Sequence, residues 1–190
     1  MKIILASGSP RRRELLNMLG LTDLIIQPAK GEEQAEPGLS PDALVCSLSK
    51  AKALEVAAEH DPDDLVIAAD TVVWHDGRVF GKPKNEEDAK NMLKALSGRT
   101  HEVYTGVTVL CGGICDTQAE RTGVHFRELS DAEIDAYVKT GEPMDKAGAY
   151  GAQGKASVFV EGISGDFFNV MGLPLCRLCK MLSERGVALL

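Results

Sequence analysis

The run Leu65-Val-Ile-Ala-Ala69 does most to narrow the folds open to this chain. Five apolar residues in succession leave a strand without a polar face. Both faces must then be covered, the situation of a central strand in a sheet flanked by helices. The run stops at Asp70, and Trp74-His-Asp-Gly-Arg78 carries an Asp-Gly turn signal, so a hairpin is expected over 71–81. A carboxylate at the carboxyl end of such a strand lies where open α/β sheets bind ligands.

Short apolar runs and helical patterns alternate along the rest of the chain. Lys2 to Ala6 predicts a strand ending in Ser-Gly-Ser-Pro, then a helix with Leu15, Leu16 and Leu19 on one side and Gly20 as its stop. Leu24 to Gln27 reads as a strand, and Ser40-Pro41 as the N-cap and first-turn proline of a helix to about His60. Asn85 with acids at 86–88 opens a helix through Leu96. His101 to Leu110 alternates as a long strand, and Gly112-Gly113 turns into another reaching about Arg127. Ser130-Asp-Ala-Glu133 is a capping box. Ser157 to Val160 and Phe167 to Val170 read as strands before a last helix from Pro174. The predicted fold class is α/β, a mixed twisted sheet with flanking helices. No repeat, low-complexity tract or linker divides the 190 residues, which suit one domain over 1–190, or two lobes around one cleft.

The net charge of −7 argues against bulk nucleic-acid binding, which needs a basic face, so no stable nucleic-acid partner is expected. No apolar run approaches the roughly 20 residues that cross a bilayer, so no membrane association is expected. The N-terminus lacks the long apolar centre of a secretory signal, and the chain reads as mature and cytoplasmic. Five cysteines, an odd number, suit a reducing compartment. Cys176-x-x-Cys179 has no second pair and no neighbouring His, which favours buried structural thiols over a redox or zinc site.

Three segments carry chemistry. In Ser7-Gly-Ser-Pro-Arg-Arg-Arg13, with Ser9 as cap and Pro10 as first residue, Arg11 and Arg12 fall in the first helical turn, where the positive helix end disfavours cations. An anion there would draw on backbone N–H groups, serine hydroxyls and guanidinium forks together. The alternative is a solvated basic turn paired with acids such as Glu14. The spacing is neither a P-loop nor a dinucleotide fingerprint. Asp70 could hold a divalent metal or take a proton from water, or simply bond turn amides. Lys82, in Phe80-Gly-Lys-Pro, is on the returning arm of the hairpin. The segment 141–154 holds four glycines in fourteen residues, a density that permits close approach to a ligand or a closing lid, with Asp145, Lys146 and Gln153 as candidate readers. An ordinary surface loop is the alternative.

In their order along the chain, ILASGSPRRRELL, AADTVV with GKP, LSGRTHEVYTGV, and TGEPMDKAGAYGAQG with NVMGLPL resemble the Maf family of nucleoside triphosphate pyrophosphatases. The resemblance implies a two-lobed fold like that of the inosine triphosphate pyrophosphatases, commonly a homodimer. It also implies cleavage of a nucleoside triphosphate between the α- and β-phosphates with a divalent cation, Mg2+ or Mn2+. The long TGEPMDKAGAYG block is similar to that of the dTTP/UTP-directed subfamily. By the same resemblance Asp70 is the general base and a metal ligand, and Glu33 is a second acid at the metal. Ser7, Ser9, Arg11, Arg12, Lys52 and Lys82 face the phosphates, while Arg11, Thr71 and Gln153 govern substrate choice. Ala152 departs from the pattern, since the family usually carries a larger aliphatic residue there. The family's association with septum formation leaves a second expectation, a nucleotide- or nucleic-acid-binding regulator of cell division without turnover.

Overall fold

A computed structural model describes residues 1–31, 38–187 and 189. Its strands are β1 (Ile3–Leu5), β2 (Leu24–Ile26), β3 (Leu65–His75), β4 (Arg78–Phe80), β5 (Thr100–Cys111), β6 (Ile114–Phe126) and β7 (Val160–Ser164). Its α-helices are α1 (Pro10–Met18), α2 (Pro41–Ala57), α3 (Glu86–Leu96), α4 (Asp131–Val138), α5 (Phe167–Met171) and α6 (Leu175–Ser183). Seven strands hydrogen-bond in the order β2-β1-β3-β5-β6-β7, with β4 on β3. β2, β1 and β3 are parallel, whereas β3/β4 and β6/β7 are antiparallel. The mixed α/β architecture is the one the sequence predicts.

The chain forms two compact units. The first comprises Met1–Asp70, Thr105–Glu120 and Gly172–Leu190, the second Thr71–Tyr104 and Arg121–Met171. In the first, Ile4 and Ala6 of the β1 segment and Val66 and Ala68 of β3 pack against Ala53 and Val56 of α2. Alternation along β3 puts Asp70 on the face of Val66 and Ala68, the face α2 covers. The core of the second unit joins Val73, Leu93 and Leu96 of α3, Ile134 and Tyr137 of α4, Phe126 and Phe159.

β3 does not stop at Asp70. Thr71-Val-Val continues the strand to His75, because Val73 pairs with Phe80 and His75 with Arg78 across a turn whose Asp76 and Gly77 both take positive φ (47° and 74°). Two expected strands also differ. The N–H groups of Lys155 and Ser157 go to Glu142 and Gly154, so Lys155–Phe159 is a 3₁₀ turn and pairing starts at Val160. Phe167–Met171 is helical because the Asp166 carboxylate accepts from the Phe168 N–H at 2.8 Å and starts the turn. Asn85 caps as read, accepting from Asp88 N–H at 2.9 Å, and Ser130 and Glu133 make the capping box, whereas Ser40 stands at the N-cap of α2 before Pro41 without a side-chain capping bond. The cysteines are not buried. Cys176 is exposed and the other four are half-buried; on α6 the buried residues are Leu175, Leu178, Met181 and Leu182 rather than Cys176 and Cys179.

His101, 1% exposed, sits edge-on to Phe126 and Tyr150, with its Nε2 2.8 Å from the Tyr150 hydroxyl and its Nδ1 unpartnered among the described residues. Burial, with smaller contributions from His75 and His125, holds its pKa down to about 3 from the ordinary 6.5. The unfolded chain binds this proton below 6.5 and the folded chain does not until about 3. Its contribution to stability is therefore complete above 6.5 and is lost as pH falls through that window, by on the order of 1.4 kcal/mol per pH unit. We expect no titration of the His101 imidazole by NMR between pH 8 and 5, with a urea midpoint that falls below pH 6.5; an NMR midpoint near 6 refutes the assignment.

Candidate active site

The loop after β1 is placed by parallel pairing. Leu5 lies opposite Ile67, and the Ala6 N–H donates to the Ile67 carbonyl at 2.8 Å, so Ser7 leaves the sheet beside β3 at its carboxyl-terminal side. Asp70 is three residues further along β3, about 10 Å at strand rise. Pro10 opens α1, whose first turn has no acidic residue, and Ser9, though at the N-cap, makes no side-chain capping bond. That corrects the expectation of Ser9 as a cap, and leaves both its hydroxyl and the first helical N–H groups available to an anion.

The two serines and the arginines have distinct duties. Arg12 is anchored: its Nε donates to the Gly172 carbonyl at 2.8 Å and its Nη1 to Ser7 Oγ at 3.0 Å. Ser7 Oγ also accepts from the Ser9 N–H at 3.3 Å, so Ser7 and Arg12 stiffen the loop. Arg11, half-buried, makes no hydrogen bond or ion pair with a described residue.

Lys52 and Asp70 come together. Lys52 Nζ donates to Asp70 Oδ1 at 2.6 Å, with the side chains 20% and 10% exposed. Their meeting depends on how α2 is seated. At Gly106 on β5 an added Cβ would lie 2.2 Å from the Val45 carbonyl oxygen, so α2 rests directly on the β5 backbone. One helical turn on, Ser49 Oγ is 2.9 Å from Thr108 Oγ1, which is 2.9 Å from Thr117 Oγ1, a hydroxyl chain from α2 across β5 to β6. Ser49, Lys52, Ala53 and Val56 share the helical stripe facing the sheet. Sequence reasoning missed Gly106, Ser49 and Thr108; the sole available signal was the three-residue spacing of Ser49 and Lys52.

In the second unit, Thr71 is half-buried, and Lys82 and Gln153 are exposed. Much of the glycine-rich segment packs against the protein's own side chains. Lys146 Nζ donates to the Glu142 carbonyl and to Asp145 Oδ1, each at 2.6 Å, so two of the three expected readers bond within the segment. A Cβ at Gly148, Gly151 or Gly154 would run into Val73, Lys146 or Glu142. The glycines make room for the protein's own side chains. Ala152 is buried in the core of the second unit, where its small size is accommodated. Glu33 lies outside the described residues.

The Maf-like protein profile matches residues 2–185. A dTTP/UTP pyrophosphatase of Bacillus cereus (strain AH820) is 51% identical over 186 residues, covering 98% of this chain and 96% of that protein. One of Bacillus thuringiensis subsp. konkukian (strain 97-27) is likewise 51% identical with the same coverage. Among solved structures, a HAM1 protein from Coxiella burnetii superposes with a TM-score of 0.53 at 15% identity, covering 97% of this chain and 99% of that one, and shares its fold. With identity this high along nearly its whole length, and with the serine–arginine loop and Asp70 in place, the chain belongs to the Maf-like protein family.

Proposed function

We propose that the protein hydrolyses dTTP and UTP, and modified pyrimidine triphosphates, to the monophosphate and pyrophosphate. The observation that carries this is the Lys52–Asp70 pair at 2.6 Å, its aspartate on the strand next to a helix start whose Ser9 side chain makes no capping bond and whose Arg11 has no partner among the described residues. A polyphosphate needs several positive partners, and water attack on its α-phosphorus needs a proton acceptor. Both are present in the first unit.

Arg11, Ser9 Oγ and the first N–H groups of α1 bind phosphate oxygens, and Arg12 and Ser7 keep that loop in shape. Lys52 orients the Asp70 carboxylate, which accepts a proton from the attacking water as pyrophosphate departs. Lys82, Thr71 and Gln153 join the reading by resemblance. Gln153 offers a donor and an acceptor to the imide edge of uracil or thymine, a pairing that rejects other bases by leaving polar groups unmatched.

The reading includes a divalent cation. The described residues hold no group of three or more His, Cys, Asp or Glu side chains able to form an all-protein cage, so the donor set is one hard carboxylate, Asp70, with Glu33 added by resemblance. Such a set fits an ion that completes its shell with substrate phosphates, as Mg2+ does. When bound, it neutralises phosphate charge and polarises the α-phosphorus. The resemblance also extends the proposal to a homodimer, a cytoplasmic location and one functional domain over 1–190. No helix among the described residues is long and apolar enough to cross a membrane.

Purified protein with Mg2+ or Mn2+ and a panel of triphosphates should give the monophosphate and pyrophosphate, resolved by 31P NMR, with dTTP and UTP turned over fastest. Orthophosphate and a diphosphate as products would replace this reaction with a different one. Binding without any release would favour the regulator of cell division.

A further inference from the structure

Gln153 stands at the third position of a tight turn, Gly151-Ala-Gln-Gly154, closed by the Gly154 N–H donating to the Gly151 carbonyl at 3.0 Å. Both ends of this turn are tied to two side chains that nothing above assigns to substrate recognition. Tyr137 Oη accepts from the Gly151 N–H at 3.3 Å and donates to Glu142 Oε1 at 3.1 Å. The Glu142 carboxylate in turn accepts from the Lys155 N–H, at 3.0 Å to Oε1 and 3.2 Å to Oε2. It also fills the space beside Gly154, where a Cβ would meet Oε1 at 2.2 Å. Ala152 is sunk in the core between the two ties while Gln153 is exposed.

We propose that Glu142 and Tyr137 are positioning residues for substrate choice: they clamp the turn so that the Gln153 amide meets the base in one orientation. This rests on the reading of Gln153 given above. An amide discriminates between bases only if its donor and acceptor ends are held in place, because a free side chain would rotate to satisfy either pattern. The turn has two glycines in four residues and would by itself be loose. The clamp supplies the missing stiffness from α4 and the residues that follow it, and α4 is secured by its own capping box.

The test measures kcat and KM for dTTP, UTP, dCTP and CTP in wild type, Tyr137→Phe, Glu142→Gln and Gln153→Ala. Tyr137→Phe keeps the ring that packs edge-on to Phe159, so the core survives. Glu142→Gln keeps one acceptor for the Lys155 N–H. Both should lower the preference for dTTP and UTP over the cytosine nucleotides by roughly tenfold, through KM, with kcat on dTTP largely kept. Loss of the same factor on all four substrates would mean a merely structural role and overturns the proposal, as does an unchanged preference in both variants. If Gln153→Ala shifts the preference and the clamp variants do not, this inference alone falls. If Gln153→Ala leaves it unchanged, base reading by Gln153 falls and takes the inference with it.

Discussion

Asp70→Asn is expected to slow pyrophosphate release by roughly a thousandfold, in the middle of the range for removing a positioned general base. Asparagine is nearly isosteric and its amide oxygen can still accept from Lys52, so the seat of α2 on the sheet is retained. Nucleotide affinity should hold, because the substitution removes a negative charge from beside a polyanion. Binding can be followed by calorimetry with an α,β-imido nucleotide, which cannot be cut. Turnover within tenfold of wild type would remove Asp70 from the chemistry. A parallel loss of binding would mean that Asp70 acts chiefly by holding the cation or the substrate.

Gly106→Ala should cost substantial stability, because the added methyl would press on backbone alone. The new carbon would lie 2.2 Å from the Val45 carbonyl oxygen, 2.4 Å from its carbon and 2.8 Å from the Cys46 nitrogen, all backbone atoms. No side chain can rotate away, so α2 must lift from β5, at a cost of about 3 kcal/mol. For a chain of this size that corresponds to a melting temperature roughly 6–12 °C lower. Lifting α2 also parts Ser49 from Thr108 and carries Lys52 off Asp70. Turnover should therefore fall by more than the unfolded fraction accounts for at a temperature where the variant is still folded. A melting point within about 2 °C of wild type would show that the helix is not held against the strand at this point.

What the sequence made legible was local. The caps at Asn85 and Ser130 need partners only three residues away, and both form. The apolar run at Leu65 announced a covered strand, and α2 covers it. The seat of that helix was not legible, since Ser49 meets a partner 59 residues distant and Gly106 reads as a gap in an alternating strand. Lys52 entered only through family resemblance, as a lysine near the phosphates, and its pairing with Asp70 was not legible, because spacing cannot say which face of α2 meets which face of β3. The misread strand at Phe167 shows the same limit: its aromatic and β-branched residues suit pairing, yet one upstream aspartate claims a backbone N–H and begins a helix. The glycines at 148, 151 and 154 gave no sign of which side chains lie beside them, because Val73, Lys146 and Glu142 are set there by the tertiary fold.

One of the four places where the chain passes from one compact unit to the other falls between Asp70 and Thr71, within a single unbroken strand. Under the roles assigned here, neighbouring residues joined by one peptide bond answer to separately packed interiors, one serving the cutting step and the other the sorting of bases. Diversification can then proceed along two tracks: repacking around the Gly151–Gly154 turn alters which nucleotide is destroyed, while the residues that break the anhydride stay under their own separate constraint.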